Sequence, residues 1–212
     1  VNGLRFRGAW LLAILVVAIP TLLGQARLTP TELTAAKSMG SRSAPITLEI
    51  FSDYQCPDCR RMHTATTRQV IDNYVTSGKV YLIHRDFPLN MHAHAKVAAR
   101  WANAAAAAGV FEAAENALYN KQNEWAATGN VEAALASVLP AADMRRIRMM
   151  ETQNRARLDA AVQSDMNLGM SRAVSGTPSI FVIHRGQTTP LPPGSVNYSL
   201  LKQYLDHLLA QR

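Results

Sequence analysis

Apolar and polar positions change their period several times along this chain, and each change marks an element. Ile46-Thr47-Leu48-Glu49-Ile50-Phe51 is a short β-branched and apolar run that predicts a strand. A polar turn, Ser52-Asp53-Tyr54-Gln55, leads into Cys56-Pro57-Asp58-Cys59. Beyond it Met62, Val70, Ile71, Tyr74 and Val75 recur at helical spacing as far as Ser77-Gly78, where a glycine suits the helix C-terminus. Val80-Tyr81-Leu82-Ile83 predicts a second strand that ends at Asp86-Phe87-Pro88. Strand, helix and strand within about 40 residues are enough for a right-handed parallel crossover.

From Met91 to about Met170 the pattern is helical throughout, with helices expected near 93–108, 111–124, 131–139, 142–154 and 157–166. Gly109, Gly129 and Pro140 punctuate them, and the run Ala104 to Ala108 reads as strong helix propensity. Strand signals return at Ser179-Ile180-Phe181-Val182-Ile183. Arg185-Gly186 is a turn, Gln187-Thr188-Thr189 a short partner strand, and 199–210 an amphipathic closing helix. The two flanking units need each other to complete one sheet. The helical stretch, about 91–170, is therefore an insertion in one α/β domain spanning 44–212.

The N-terminus is different. Arg5 and Arg7 precede a stretch from Gly8 to Ala26 with no charge, whose core is Ala9-Trp10-Leu11-Leu12-Ala13-Ile14-Leu15-Val16-Val17-Ala18-Ile19. A basic start, an apolar run and the small residues of Gly24-Gln25-Ala26 form the pattern of a secretory signal. Residues 8–24 also just reach the length of a membrane anchor, with Pro20 inside it, and length alone leaves cleavage and tethering open. Either way residues 1–26 are a signal or anchor segment, and the domain is expected outside the cytoplasm. Residues 27–43, polar and carrying Pro30 and Gly40, read as a linker, partly helical at 31–37.

Composition narrows the classes. The 212 residues are 48% hydrophobic and 17% charged, too apolar for disorder. Two cysteines rule out a disulfide-framework scaffold. The formal charge of +7 permits acidic partners, yet no nucleic-acid motif accompanies it. The stretch Met144-Arg145-Arg146-Ile147-Arg148 reads as an amphipathic helix with a solvated basic face.

The chemistry lies in Cys56-Pro57-Asp58-Cys59. One helical turn brings the two sulfurs within disulfide reach, and a helix N-terminus supplies unpaired N–H groups that stabilise a thiolate on Cys56. Pro57 suits the first helical position, because its missing N–H would have no partner there. In the loop of a strand–helix–strand unit this spacing is a strong signal for thiol–disulfide exchange. A metal set of Cys56, Cys59 and His63 lacks the second ligand pair that zinc spacing usually brings. An inert disulfide would close so short a loop that it restrains the unfolded chain little.

Phe51-Ser52-Asp53-Tyr54-Gln55-Cys56-Pro57-Asp58-Cys59 resembles the active-site segment of DsbA-like thiol–disulfide oxidoreductases. Arg85-Asp86-Phe87-Pro88-Leu89 resembles the strand end that follows, the stretch from His92 through Trp101 the helical insertion, and Gly176-Thr177-Pro178-Ser179-Ile180-Phe181 the cis-proline loop. The resemblance implies a thioredoxin fold with an all-helical insertion, a redox-active Cys56–Cys59 pair and no bound cofactor. It implies that Cys56 exchanges with substrate, that Cys59 resolves, and that Pro178 sits against the sulfurs while Thr177 offers backbone hydrogen bonds to an extended substrate strand. The partners it implies are exported cysteine-containing proteins and a quinone-linked membrane oxidase of the DsbB or VKOR type.

The direction of electron flow stays open. Well-known members of the family carry histidine where this chain has Asp58, and a carboxylate there is expected to raise the Cys56 pKa and weaken oxidising power. Arg60 and Arg61 would offset it by folding back toward the sulfurs. A dithiol oxidase is the first reading; a reductase or isomerase of the same fold, and a non-enzymatic peptide-binding module, are the alternatives. Glu49, in a strand expected to be buried on both faces, resembles the family's buried acid, a proton relay to Cys59, although the turn after it is one residue longer than in some members. The rival reading pairs Glu49 with a basic group. Asp53 and Asp86 read as turn-forming acids, and His63, His84, His92 and His94 as surface or boundary groups.

Overall fold

The computed structural model describes residues 28–192 and 197–211. The segment 1–26, expected as signal or anchor, lies outside them. Among the described residues no helix is long and apolar enough to cross a membrane.

Strand β1 is Ser38–Met39, β2 Ile46–Ser52, β3 Val80–Asp86, β4 Ser179–His184 and β5 Gln187–Pro190. They form one sheet in the order β1-β3-β2-β4-β5. The central pair β2 and β3 is parallel, from Ile46 opposite Val80 to Ser52 opposite Asp86. β4 runs antiparallel to β2, setting Phe51 opposite Ser179, and β5 pairs antiparallel with β4 at the edge. The crossover from β2 to β3 is helix α2, residues 57–75. It opens as α-helix over Pro57–Met62 and carries π-turns at His63–Thr67 and Ile71–Val75. Gly78, at φ +72°, lets the chain leave it in the left-handed conformation expected after a helix.

Side chains of a strand alternate between faces. Ile46, Leu48 and Ile50 pack with Val70 and Tyr74 of α2 and with Leu201 and Leu205 of α8, Tyr198–Ala210. Phe51 faces the other side, where its ring meets Phe181 and Phe87 edge-on, with centroids 5.5 and 6.2 Å away.

The helical block comprises α3 (Ala95–Ala107), α4 (Phe111–Asn120), α5 (Gln122–Trp125), α6 (Val131–Ala136) and α7 (Ala141–Ser171). The alanine run does more than favour a helix. Ala98, Ala102, Ala104 and Ala105 are fully buried in the same core as Met144, Ile147 and Leu158 of α7, where small side chains let helix backbones approach. The two helices expected at 142–154 and 157–166 are the two arms of α7, parted by a kink at Asn154, whose φ of −125° and ψ of 15° leave the helical region. Gly169 near its end makes room for the aromatic cluster, since a Cβ there would lie 2.6 Å from the Phe87 ring.

The segment read as a linker, 27–43, is packed structure from residue 28 onward. Thr29 and Glu32 form a capping box that starts helix α1, Pro30–Ala36, and Leu33 is buried under it. Lys37 is 1% exposed, its ammonium on Asp86 and, at 3.0 Å, on Asp165. β1 then adds to β3 antiparallel. Polar composition suggested a tether; one buried lysine and a two-residue strand fasten it.

Candidate active site

The sharp turn after β2 presents Cys56 as the N-cap of α2, in extended conformation, with Pro57 at the first helical position. Its thiol donates to the Thr177 carbonyl oxygen at 3.5 Å. The Thr177–Pro178 peptide is cis, and it immediately precedes β4 beside the cysteines. Both cysteines are free thiols, 5% and 2% exposed for Cys56 and Cys59. The Cys59 sulfur accepts from the Asp53 backbone N–H at 3.4 Å.

These positions split the two thiols. The Cys59 thiol donates toward Cys56, and backbone N–H groups of Cys59 and Asp58 point at it, lowering its pKa to about 6. Burial is the first cause pushing Cys59 well above its ordinary value, and the neighbouring Cys56 adds to it.

The loop that aims Cys56 is held by residues read from sequence only as turn formers or surface groups. Asp53 accepts from the backbone of Gln55 at 2.7 Å and of Leu89 at 2.8 Å, and its Oδ2 lies 2.7 Å from His92 Nδ1. Gln55 bridges the backbone of His94 and Ala126. Gln122 of α5 donates to the carbonyl oxygens of Tyr54 and Cys56 at 2.7 and 3.0 Å. Nothing in the sequence distinguishes Gln122; its helix must dock first. Asp53 forms the expected turn, and His92 belongs to the loop it braces.

Three expectations are corrected. Asp58 is exposed and its carboxylate pairs with Arg61, so it turns to solvent while its backbone N–H serves Cys56, whose pKa falls instead of rising. Arg60 bonds Asn123 at 2.7 Å and does not fold over the sulfurs. Glu49 is buried, but on the sheet face of Phe51 and Phe181, away from α2. There it meets Arg85 at 2.7 Å and Arg172, and despite the upward push of burial these two guanidiniums hold its carboxyl below the usual range. The reason is the strand period. One extra residue between acid and cysteine moves the acid to the opposite face, so Ile50, not Glu49, lies behind Cys59.

Asp86 and His84 also depart from their readings. His84 is buried between Glu115, 2.9 Å from its Nδ1, and Asp86, 3.4 Å from its Nε2. Burial alone would lower its pKa; the two carboxylates outweigh that and raise it to about 9. Asp86 is no turn former: Lys37, His84 and Asn103 surround it, and its carboxyl stays below its ordinary range although burial opposes this. The signal was present, since His84 shares the alternation of Val80 and Leu82, both inward-facing.

A cysteine pair at the start of a helix after a central strand, opposed by a cis-proline just before the antiparallel neighbour of that strand, defines the thioredoxin class of oxidoreductase folds. The thioredoxin family model matches residues 33–200, and the chain belongs to this family. The chain is similar to the crystal structure of Pseudomonas aeruginosa DsbA2, with TM-score 0.62, 22% identity and coverage of 82% of this chain and 93% of that one. A thioredoxin-like oxidoreductase from Silicibacter pomeroyi superposes with TM-score 0.61 at 26% identity, covering 82% and 92%. Among curated proteins, a Na(+)/H(+) antiporter NhaA 3 of Salinispora tropica is 30% identical over 152 residues, 71% of this chain. The chain spans only 22% of the length of that relative.

Proposed function

We propose that this chain is an exported dithiol oxidase that introduces disulfides into extracytoplasmic proteins. A substrate thiolate attacks the Cys56 sulfur of the Cys56–Cys59 disulfide, and the bond's electron pair leaves on Cys59. A second substrate thiolate then attacks the substrate sulfur of the mixed disulfide, releasing Cys56 as a thiolate and the substrate as a disulfide. The pair itself carries the two electrons, so no bound cofactor is needed. A quinone-linked membrane oxidase takes them from the reduced pair.

The observation that carries this direction is the placement of Cys56 at the N-cap of α2 under the N–H groups of Asp58 and Cys59. A stabilised thiolate favours the reduced protein, and a pair whose reduced form is favoured gives its disulfide away. Thr177 and Pro178 supply the surface on which an extended substrate strand lies. Export rests on the basic and then apolar pattern of residues 1–26.

The test is the redox equilibrium of the pair against glutathione, read by alkylation and mass shift. A potential near about −120 mV is expected of a disulfide donor, whereas one near about −270 mV would make the protein a reductant and reject the reading.

A further inference from the structure

Directly behind Cys59, between α2 and α4, lies a cavity of about 20 Å³, lined in part by Cys59, Ser52, His84, Glu115 and Tyr119. That is enough for a single water. Its ionisable lining is unusual for a core, because buried charges persist only when paired. His84 and Glu115 pair with each other, and His84 Nε2 and Asp86 Oδ1 make no hydrogen bond, although they lie 3.4 Å apart. Glu49, the acid singled out in the sequence, cannot serve Cys59 from the opposite face.

Resting on the redox reading above, we propose that Glu115 and His84 store the proton that Cys59 takes up and gives back during disulfide exchange. They act through the cavity and not on substrate, so they are positioning residues. When substrate thiolate attacks Cys56, the S–S pair of electrons leaves on Cys59 in a site that disfavours charge. The His84 imidazolium releases its Nδ1 proton to Glu115, which passes it through the cavity to the Cys59 thiolate. Cys59 becomes a thiol, His84 becomes neutral, and His84 then recovers a proton from solvent. Reoxidation of the pair runs the same transfers backward.

Burial and the neighbouring Cys56 push Cys59 well above its ordinary value, so its thiolate draws a proton. The groups around His84 come from every packed element. From α4 come Glu115, whose carboxyl His84 holds low against burial, and the edge of Phe111. Tyr54 stacks on the ring at 5.2 Å from the loop before Cys56. Asp86 stands on β3, anchored by Lys37, which Asp165 of α7 also holds. His63 of α2 stacks on Tyr119 at 4.7 Å and bonds Asn116.

The test reduces the oxidised full-length protein with dithiothreitol across pH, with rates corrected for reagent thiolate, in wild type and Glu115→Gln. The variant is expected to react about tenfold or more slowly near neutral pH and to lose the inflection of wild type near His84's titration. The alkylation profile of Cys56 should not move, which a merely disordered site would not achieve, and Glu115→Asp should recover part of the rate. A folded Glu115→Gln with wild-type rate and pH profile overturns the proposal while leaving the redox reading intact. A wild-type pair that never exchanges overturns the redox reading as well. Should Glu115→Gln fail to fold, wild type compared in H2O and D2O decides: a slower reaction in D2O is expected of a proton in flight, and equal rates overturn the proposal.

Discussion

The Cys56 thiol meets the Thr177 carbonyl oxygen at 3.5 Å across 121 positions of sequence. That contact joins the start of α2 to the start of β4, so the site exists only when the sheet has closed around the helical block. Its first consequence concerns titration. With a pKa of about 6, Cys56 is a thiolate at neutral pH in the reduced protein. A folded pKa below the unfolded one contributes stability that is complete above the unfolded value and is lost as pH falls toward 6. Reduced protein should therefore gain stability over oxidised protein as pH rises from about 6 to about 8.5. Denaturant unfolding of both redox forms across that window checks it; parallel curves would contradict the assignment.

Asp58 should matter less than its place between the cysteines suggests. Its carboxylate is solvent-exposed and paired with Arg61, and such surface pairs contribute about 0–1 kcal/mol. Asp58→Asn is expected to move the Cys56 titration, followed by thiolate absorbance, by less than about half a unit.

Lys37 holds the N-terminal segment to the domain. Removing its ammonium leaves Asp86 to Asn103 and His84 and Asp165 to Arg85, each short of one buried counter-charge, and breaking a buried pair costs about 3–5 kcal/mol. Lys37→Met should lower the urea midpoint accordingly, and more strongly than the neutral substitution of any exposed lysine. A midpoint unchanged from wild type would mean that the segment is a tether after all.

Glu49 separates structure from chemistry. Glu49→Gln loses charge-assisted bonds to Arg85 and Arg172, each kind worth about 1.5–3 kcal/mol. Stability should fall by that order while the dithiothreitol rate of the disulfide stays at the wild-type value. A slowed reaction in a fully folded variant would restore Glu49 as the relay.

The strands, the active-site helix, the insertion and the Cys56–Cys59 pair were legible in sequence because they depend on local period and spacing. The alternation at 46–51, the helical recurrence after Cys59 and the glycine at 78 are each settled within a few residues. Even the kink at Asn154 was marked, by a gap between two helical patterns.

What the tertiary structure alone decided are the relationships between faces. Whether Glu49 or Ile50 stands behind Cys59 turns on one residue of register, since neighbours on a strand point oppositely. Whether Asp58 raises or lowers the Cys56 pKa depends on where its side chain swings relative to its own backbone N–H. His84, Glu115 and Lys37 lie far apart in sequence and on different elements, and no periodicity reports that their charges meet behind a thiol. Burial makes those charges consequential: in the core an unpaired charge is costly, so each fixes its partners.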